Sequence, residues 1–295
     1  MATNAAAPSR TATKAMSEFP LIAYFVLAYA LSWLILVPAG FGLLPDSSAG
    51  VLSNVAPFGP AVAAFVVTAI TGGRRAVGGL LRRLVQWRVG VGWYLLVILG
   101  IPLVELLGAF AVLGSVPLDD LIQNWTLFFT GYLPAVLITL VMVGVAEETG
   151  WRGFALPRLQ DRHGPFLGTA VLSVAWAAWH LPNLLFGGWT GLSYALWLAL
   201  TIASAFIYTW VFNNTAGSIL IAALLHAAIN KGSGLTVGLV PGLEDAFYVQ
   251  VYAAVAIAFV AAAILLVAAT RGRLGYHRAQ GMPVVAGDEP RRGAQ

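Results

Sequence analysis

Long apolar stretches separated by short polar breaks run through almost the whole chain. A helix needs about 20 residues to cross the hydrocarbon of a bilayer. Runs of that order fall at Leu21–Leu44, Val55–Thr71, Val91–Gly114, Pro134–Leu156, Phe166–Phe186, Leu192–Phe212, Ala216–Asn230 (extendable) and Phe247–Thr270. They are too long for the strands of a membrane barrel, and backbone groups in lipid must be satisfied internally, so each is read as a helix. The predicted fold is an all-α, polytopic membrane protein with about eight transmembrane helices in one bundle, spanning residues 19–270. Residues 1–18, rich in Ala, Thr and Ser, read as a disordered tail, and residues 271–295 as a second solvated tail. The first span is too long for the core of a cleaved signal and reads as a retained anchor.

Composition sharpens this. Of the 295 residues 59% are hydrophobic and 9% charged, against roughly 25% charged in soluble domains, so a water-soluble globule is excluded. The absence of cysteine rules out disulfides, thiolate metal sites and a cysteine nucleophile. The basic residues also fall in a pattern. If the chain starts in the cytosol and alternates, the cytosolic segments hold Arg10 and Lys14, then Arg74, Arg75, Arg82, Arg83 and Arg88, then Arg152, Arg158 and Arg162, then Arg271, Arg273, Arg278, Arg291 and Arg292. Lys231 alone falls on the far side, where the loops carry Asp46, Asp119, Asp120, Glu244 and Asp245. Basic loops stay in the cytosol, so both termini are expected there, with the plasma membrane as the location. The segment from Arg74 to Arg88, with Leu80, Leu81, Leu84 and Trp87 at helical spacing, reads as a connector lying on an anionic leaflet or as an ordinary basic loop. Trp125, Phe128, Phe129 and Tyr132 read as an aromatic belt before the fourth span.

The ionisable residues left inside the spans are Glu105, Glu147, Glu148, Arg152, His180 and His226, with Asn230 as a polar companion. Each is costly in lipid unless paired or hydrated, which makes function the default reading. Counted from the cytosolic ends of their helices, Glu147, His180 and His226 lie about 15, 22 and 18 Å deep, close enough in level to meet. Arg152 stands one turn after Glu148 and is expected to neutralise it, leaving Glu147 for the centre of the bundle. Trp176, one turn before His180, should cover one face of that imidazole, and Pro182 should break the helix beyond it. His226 and Asn230, also i and i+4, share a face. A carboxylate, two imidazoles and a carboxamide screened from bulk water suit the addition of water to a carbonyl: Glu147 as base, His180 to position the water or hold a metal, His226 and Asn230 to face the oxyanion or complete a metal shell. Glu147, His180 and His226 would be the ligands of such a metal, zinc being the candidate. Glu105 has no partner in the sequence and reads as a protonated or water-lined carboxyl.

Three short motifs carry a resemblance. The segments E-E-T-G-W-R (Glu147–Arg152), W-A-A-W-H (Trp176–His180) and H-A-A-I-N (His226–Asn230) resemble those of the CAAX protease and bacteriocin-processing (CPBP, or Abi) family, which includes the Ras-converting CAAX prenyl endopeptidases. The resemblance implies an eight-helix intramembrane protease whose cavity opens to the cytosol. It assigns Glu147 to water activation, Arg152 to the motif arginine, and His180, His226 and Asn230 to the remaining catalytic positions, with Glu148 and Trp176 in support. The expected partner is a membrane-associated peptide or protein, with a C-terminally prenylated CAAX-like substrate as one candidate, and no nucleic acid. Metal-dependent and glutamate-dependent hydrolysis both stay open. So do a non-catalytic, peptide-binding immunity or scaffold protein and a proton-coupled transporter, both of which could use the same buried groups.

Overall fold

The computed structural model of the chain describes residues 10–114, 118–187, 191–240 and 245–277, and among the described residues every regular element is helical. Of the charges that fix the expected orientation, Glu244, Arg278, Arg291 and Arg292 lie outside the described residues. The first helix, α1 (Arg10–Glu18), falls within the stretch expected to be a disordered tail. Helix α2 (Pro20–Gly40) starts on a proline, whose missing N–H would have no intrahelical partner in the first turn anyway. After α3 (Asp46–Val55) and a single 3₁₀ turn comes α4 (Gly59–Leu84), which bends where Gly73 adopts φ 61° and ψ −163°. Helix α5 (Val91–Leu113) stops at Gly114 in the left-handed conformation, and a short α6 (Leu118–Asn124) follows.

The centre of the chain is a continuous helical run, Phe128–Trp179. In it α7 (Leu133–Thr139), α8 (Ala146–Gly150) and α9 (Leu156–Trp179) alternate with π-helical turns at Phe128–Tyr132, Leu140–Val145 and Trp151–Ala155. The chain continues through α10 (Leu181–Phe186), α11 (Gly191–Asn214), α12 (Ile219–Leu239) and α13 (Asp245–Ala269).

Among the described residues, seven helical stretches are long and apolar enough to cross a membrane. Eight are expected from the sequence, and the difference lies in the run from Phe128 to Trp179, which counts as one element of 52 residues. A straight helix of that length would extend about 78 Å, more than twice the roughly 30 Å of hydrocarbon. The backbone leaves the helical region at Gly164 (φ 78°, ψ 167°), just before Pro165, and so bends the run into two legs. The aromatic belt also differs in part. Trp125 and Phe129 are exposed, but Tyr132 is buried and donates to the Ile98 carbonyl at 2.9 Å, joining the run to α5.

Helix α12 lies deepest, packed against α5, α7, α8, α11 and the π turn Leu140–Val145. Small residues let membrane helices approach this closely. A Cβ built on Gly144 would stand 2.5 Å from the Ala223 carbonyl oxygen of α12. Gly144→Ala is therefore expected to destabilise the fold by about 1–3 kcal/mol through overpacking. Gly131, with open space around it, is the control position whose alanine variant should leave the thermal midpoint in detergent nearly unchanged. The stretch after Arg271, expected to be solvated, begins packed: Leu274 is buried, Asn213 Nδ2 donates to its carbonyl at 2.9 Å, and the Tyr276 hydroxyl donates to Asp161.

Candidate functional site

The site is built where α8, the end of α9, α11 and α12 come together. Glu147 and Glu148 sit in the five-residue α8, between two π turns. Such turns are frequent at functional sites because they change the phase of the helix locally. Adjacent helical residues diverge by about 100°, and the two carboxylates accordingly serve different partners.

Glu148 is fully buried and its Oε1 accepts from Arg152 Nη1 at 2.8 Å and from His226 Nδ1 at 2.8 Å. The first contact is the i, i+4 pair; the second reaches across to α12. Arg152, also without exposure, has its guanidinium 4.5 Å from the Trp176 ring centroid and 4.1 Å from that of Tyr208. Two aromatic faces thus stabilise the cation where water cannot. Glu147 is buried too, and its Oε2 accepts from the indole N–H of Trp176 at 2.9 Å and of Trp151 at 3.3 Å. Its other oxygen accepts no hydrogen bond from the described residues.

His180 ends α9 and starts α10, at the break before Pro182. Its Nδ1 lies 2.9 Å from the Trp176 carbonyl oxygen, and its ring packs edge-on against Trp176, Trp179 and Trp197. A carbonyl oxygen only accepts, so His180 Nδ1 carries the proton and Nε2 is left for another partner. An ionised Glu148 likewise requires a proton on His226 Nδ1, and the His226 ring meets Trp176 and Tyr208.

Trp176 therefore joins the parts: its N–H holds Glu147, its carbonyl orients His180, and its ring flanks Arg152, His180 and His226. Asn230 stands apart. It lies one turn beyond His226, is exposed, and forms no hydrogen bond to this cluster, while α12 continues to Leu239. Glu105 is also separate. Thr236 Oγ1 donates to its Oε2 at 3.2 Å, and it fits against Gly232, where an added Cβ would come 2.6 Å from Oε1. It lines a cavity of about 50 Å³ with Ser233, Thr236 and apolar side chains of α11, α12 and α13, enough for a few waters.

Two contributors escape a reading of the sequence. Trp151 is one turn after Glu147, so its spacing was available as a signal. Tyr208 is 56 positions from Arg152 along the chain and nothing in the sequence marks it. The residues do not fit a preformed metal centre: among the described residues no three His, Asp or Glu side chains are grouped to hold an ion. The zinc set of Glu147, His180 and His226 is thus not gathered, one Glu147 oxygen being held by indole donors, and no step is derived through a metal.

A polytopic all-helical membrane protein with a buried carboxylate–arginine–histidine cluster is the class that fold and site define. Comparison with known proteins agrees with the three motifs: residues 129–231 match the family model described as type II CAAX prenyl endopeptidase Rce1-like. The chain is also similar to CAAX prenyl protease 2 of Methanococcus maripaludis, at 28% identity over 141 aligned residues, covering 42% of this chain. The match spans about half (51%) of that relative's length. The matched segment runs from the first π turn to just past Asn230 and contains every residue of the cluster.

Proposed function

We propose that the protein is an intramembrane endopeptidase that hydrolyses a peptide bond of a membrane-associated substrate, with a C-terminally prenylated, CAAX-like chain end as the substrate class. The observation that carries this reading is the division of labour between the adjacent glutamates. Each glutamate is held on one oxygen, but Glu148 Oε1 is matched by Arg152 and His226, while Glu147 Oε2 meets only the neutral indole N–H groups of Trp176 and Trp151. In the proposed reaction the free Glu147 oxygen takes a proton from water as the hydroxide adds to the scissile carbonyl carbon. His180 Nε2 positions that water. The oxyanion that forms is met by the Asn230 carboxamide and by His226 as an imidazolium, whose Nδ1–H stays on Glu148 while its Nε2–H, present before water attacks and retained throughout, donates to the oxyanion. The proton on Glu147 then passes to the departing amine as the C–N bond breaks. Asn230 would approach the substrate from the open side of α12. The basic segments are proposed to face the cytosol, as their distribution implies.

The test is cleavage of a panel of fluorescent, membrane-anchored peptides, prenylated and unprenylated, by the purified full chain in detergent or proteoliposomes. Cleavage of prenylated CAAX-like members supports the substrate class. No cleavage of any member overturns the enzymatic reading and favours the peptide-binding scaffold. Activity is expected to survive exhaustive chelation, because no three ligands are grouped among the described residues; loss on chelation, restored by zinc, would establish the metal-dependent route instead.

A further inference from the structure

The bend at Gly73 sets off the second part of α4 as an amphiphilic helix of its own kind. Its inner face is fastened to the bundle. Leu80 is buried against Gly153, and Arg83 Nη2 donates to the Gly153 carbonyl at 2.5 Å, one residue beyond Arg152. Just past the helix, Gln86 Nε2 donates to the Thr215 carbonyl at 3.1 Å, and the Gln86 carbonyl accepts from the Ser218 hydroxyl at 2.7 Å.

The outer face mixes two kinds of residue that neither water nor hydrocarbon accommodates together. Arg74, Arg75, Arg82 and Arg88 are exposed, and so are Leu81 (48%), Val85 (68%) and Trp87 (61%). On a helical wheel Arg74, Arg75, Leu81, Arg82 and Val85 fall on one side, opposite Leu80 and Arg83. The Arg88 guanidinium lies 5.4 Å from the Trp87 ring centroid. None of these four arginines forms an ion pair among the described residues. The chain holds no Asp or Glu between Asp46 and Glu105, so no neighbour in sequence offsets their charge. Arginine is suited to phosphate oxygens, and exposed leucine, valine and tryptophan to the upper acyl region.

We propose that residues 74–88 form a binding surface for anionic phospholipid, in which Arg74, Arg75, Arg82 and Arg88 take headgroup phosphates while Leu81, Val85 and Trp87 enter the acyl boundary. The helix is tied to Gly153 and to the turn before α12, so the binding energy stabilises the bundle and thermal unfolding reports it. Lipid binding at this surface is independent of proteolysis.

The experiment titrates phosphatidylglycerol or phosphatidylcholine into the purified full chain in an uncharged detergent and follows the thermal midpoint. Phosphatidylglycerol is expected to raise the midpoint well above the effect of phosphatidylcholine, with an advantage that shrinks as salt is added. Each Arg→Gln change should weaken the apparent phosphatidylglycerol affinity about five-fold. R74Q/R75Q/R82Q/R88Q should respond equally to both lipids, and the matching lysine variant should keep most of the preference. If the quadruple glutamine variant does not fold, the four single variants give the same test through their stepwise loss. Equal shifts by both lipids in the wild type, an undiminished preference in the glutamine variants, or an equal shift by glycerol phosphate alone would overturn the proposal.

Discussion

Glu147→Gln is expected to lower the cleavage rate by at least about 100-fold, the lower end of what a positioned general base contributes. The substitution is nearly isosteric. The amide oxygen of glutamine can still accept from the Trp176 indole at the position now 2.9 Å away, so the packing around Trp176 should survive. What disappears is the capacity to take a proton from water. The comparison with Glu148→Gln separates chemistry from architecture, because that change weakens the anchor of Arg152 and His226 without touching the proposed base. Initial rates on a cleaved peptide, with thermal midpoints measured on the same samples, decide the matter. A Glu147→Gln enzyme within a few-fold of wild type would sink the assignment of Glu147 as base.

Arg152→Ala is expected to cost about 3–5 kcal/mol of stability, since it leaves the Glu148 carboxylate buried beside a lost partner. Both members of the pair are 0% exposed. The guanidinium also fills the space between Trp176 and Tyr208, and alanine would leave a void there. Replacing both charged residues, as in Glu148→Leu with Arg152→Met, removes the unmatched charge and should regain much of the loss. His226 would then lack its Nδ1 acceptor, so stability and cleavage should part company in the double variant: the first partly restored, the second still low. Unfolding titrations beside peptide cleavage measure both. If Arg152→Ala unfolds like the wild type, the pair is not the structural anchor that its burial implies.

The extent to which this arrangement can be read from sequence follows from distance along the chain. The Glu148–Arg152 contact is a matter of one helical turn, and so is the covering of His180 by Trp176; both are visible in the spacing. The same rule applied to Glu147 points to Trp151. Contacts between helices are different. Thr236 meets Glu105 across 131 positions and His226 meets Glu148 across 78, and no local pattern encodes either. Glu105, partnerless in the sequence, is explained by a hydroxyl and a glycine on another helix. The spans were legible because hydropathy is a property of each segment by itself. The polar stretch Arg158–His163 likewise marks the bend at Gly164 that divides the run from Phe128 to Trp179 into two legs, although the helix is otherwise continuous there.

The π turns bear on how this protein can change. An α-helix ties every residue to a single angular sequence, so inserting or deleting one residue turns everything beyond it. A π turn is already a helix with an inserted residue, one that the neighbouring packing has absorbed. Three of them in the run from Phe128 to Trp179 divide it into stretches whose orientations are set separately by what each touches. The glutamates can thus keep their bearing towards α12 while the membrane-facing turns before them gain, lose or exchange residues. Sequence drift in the lipid-exposed part of this helix is in that sense uncoupled from the aim of the carboxylates.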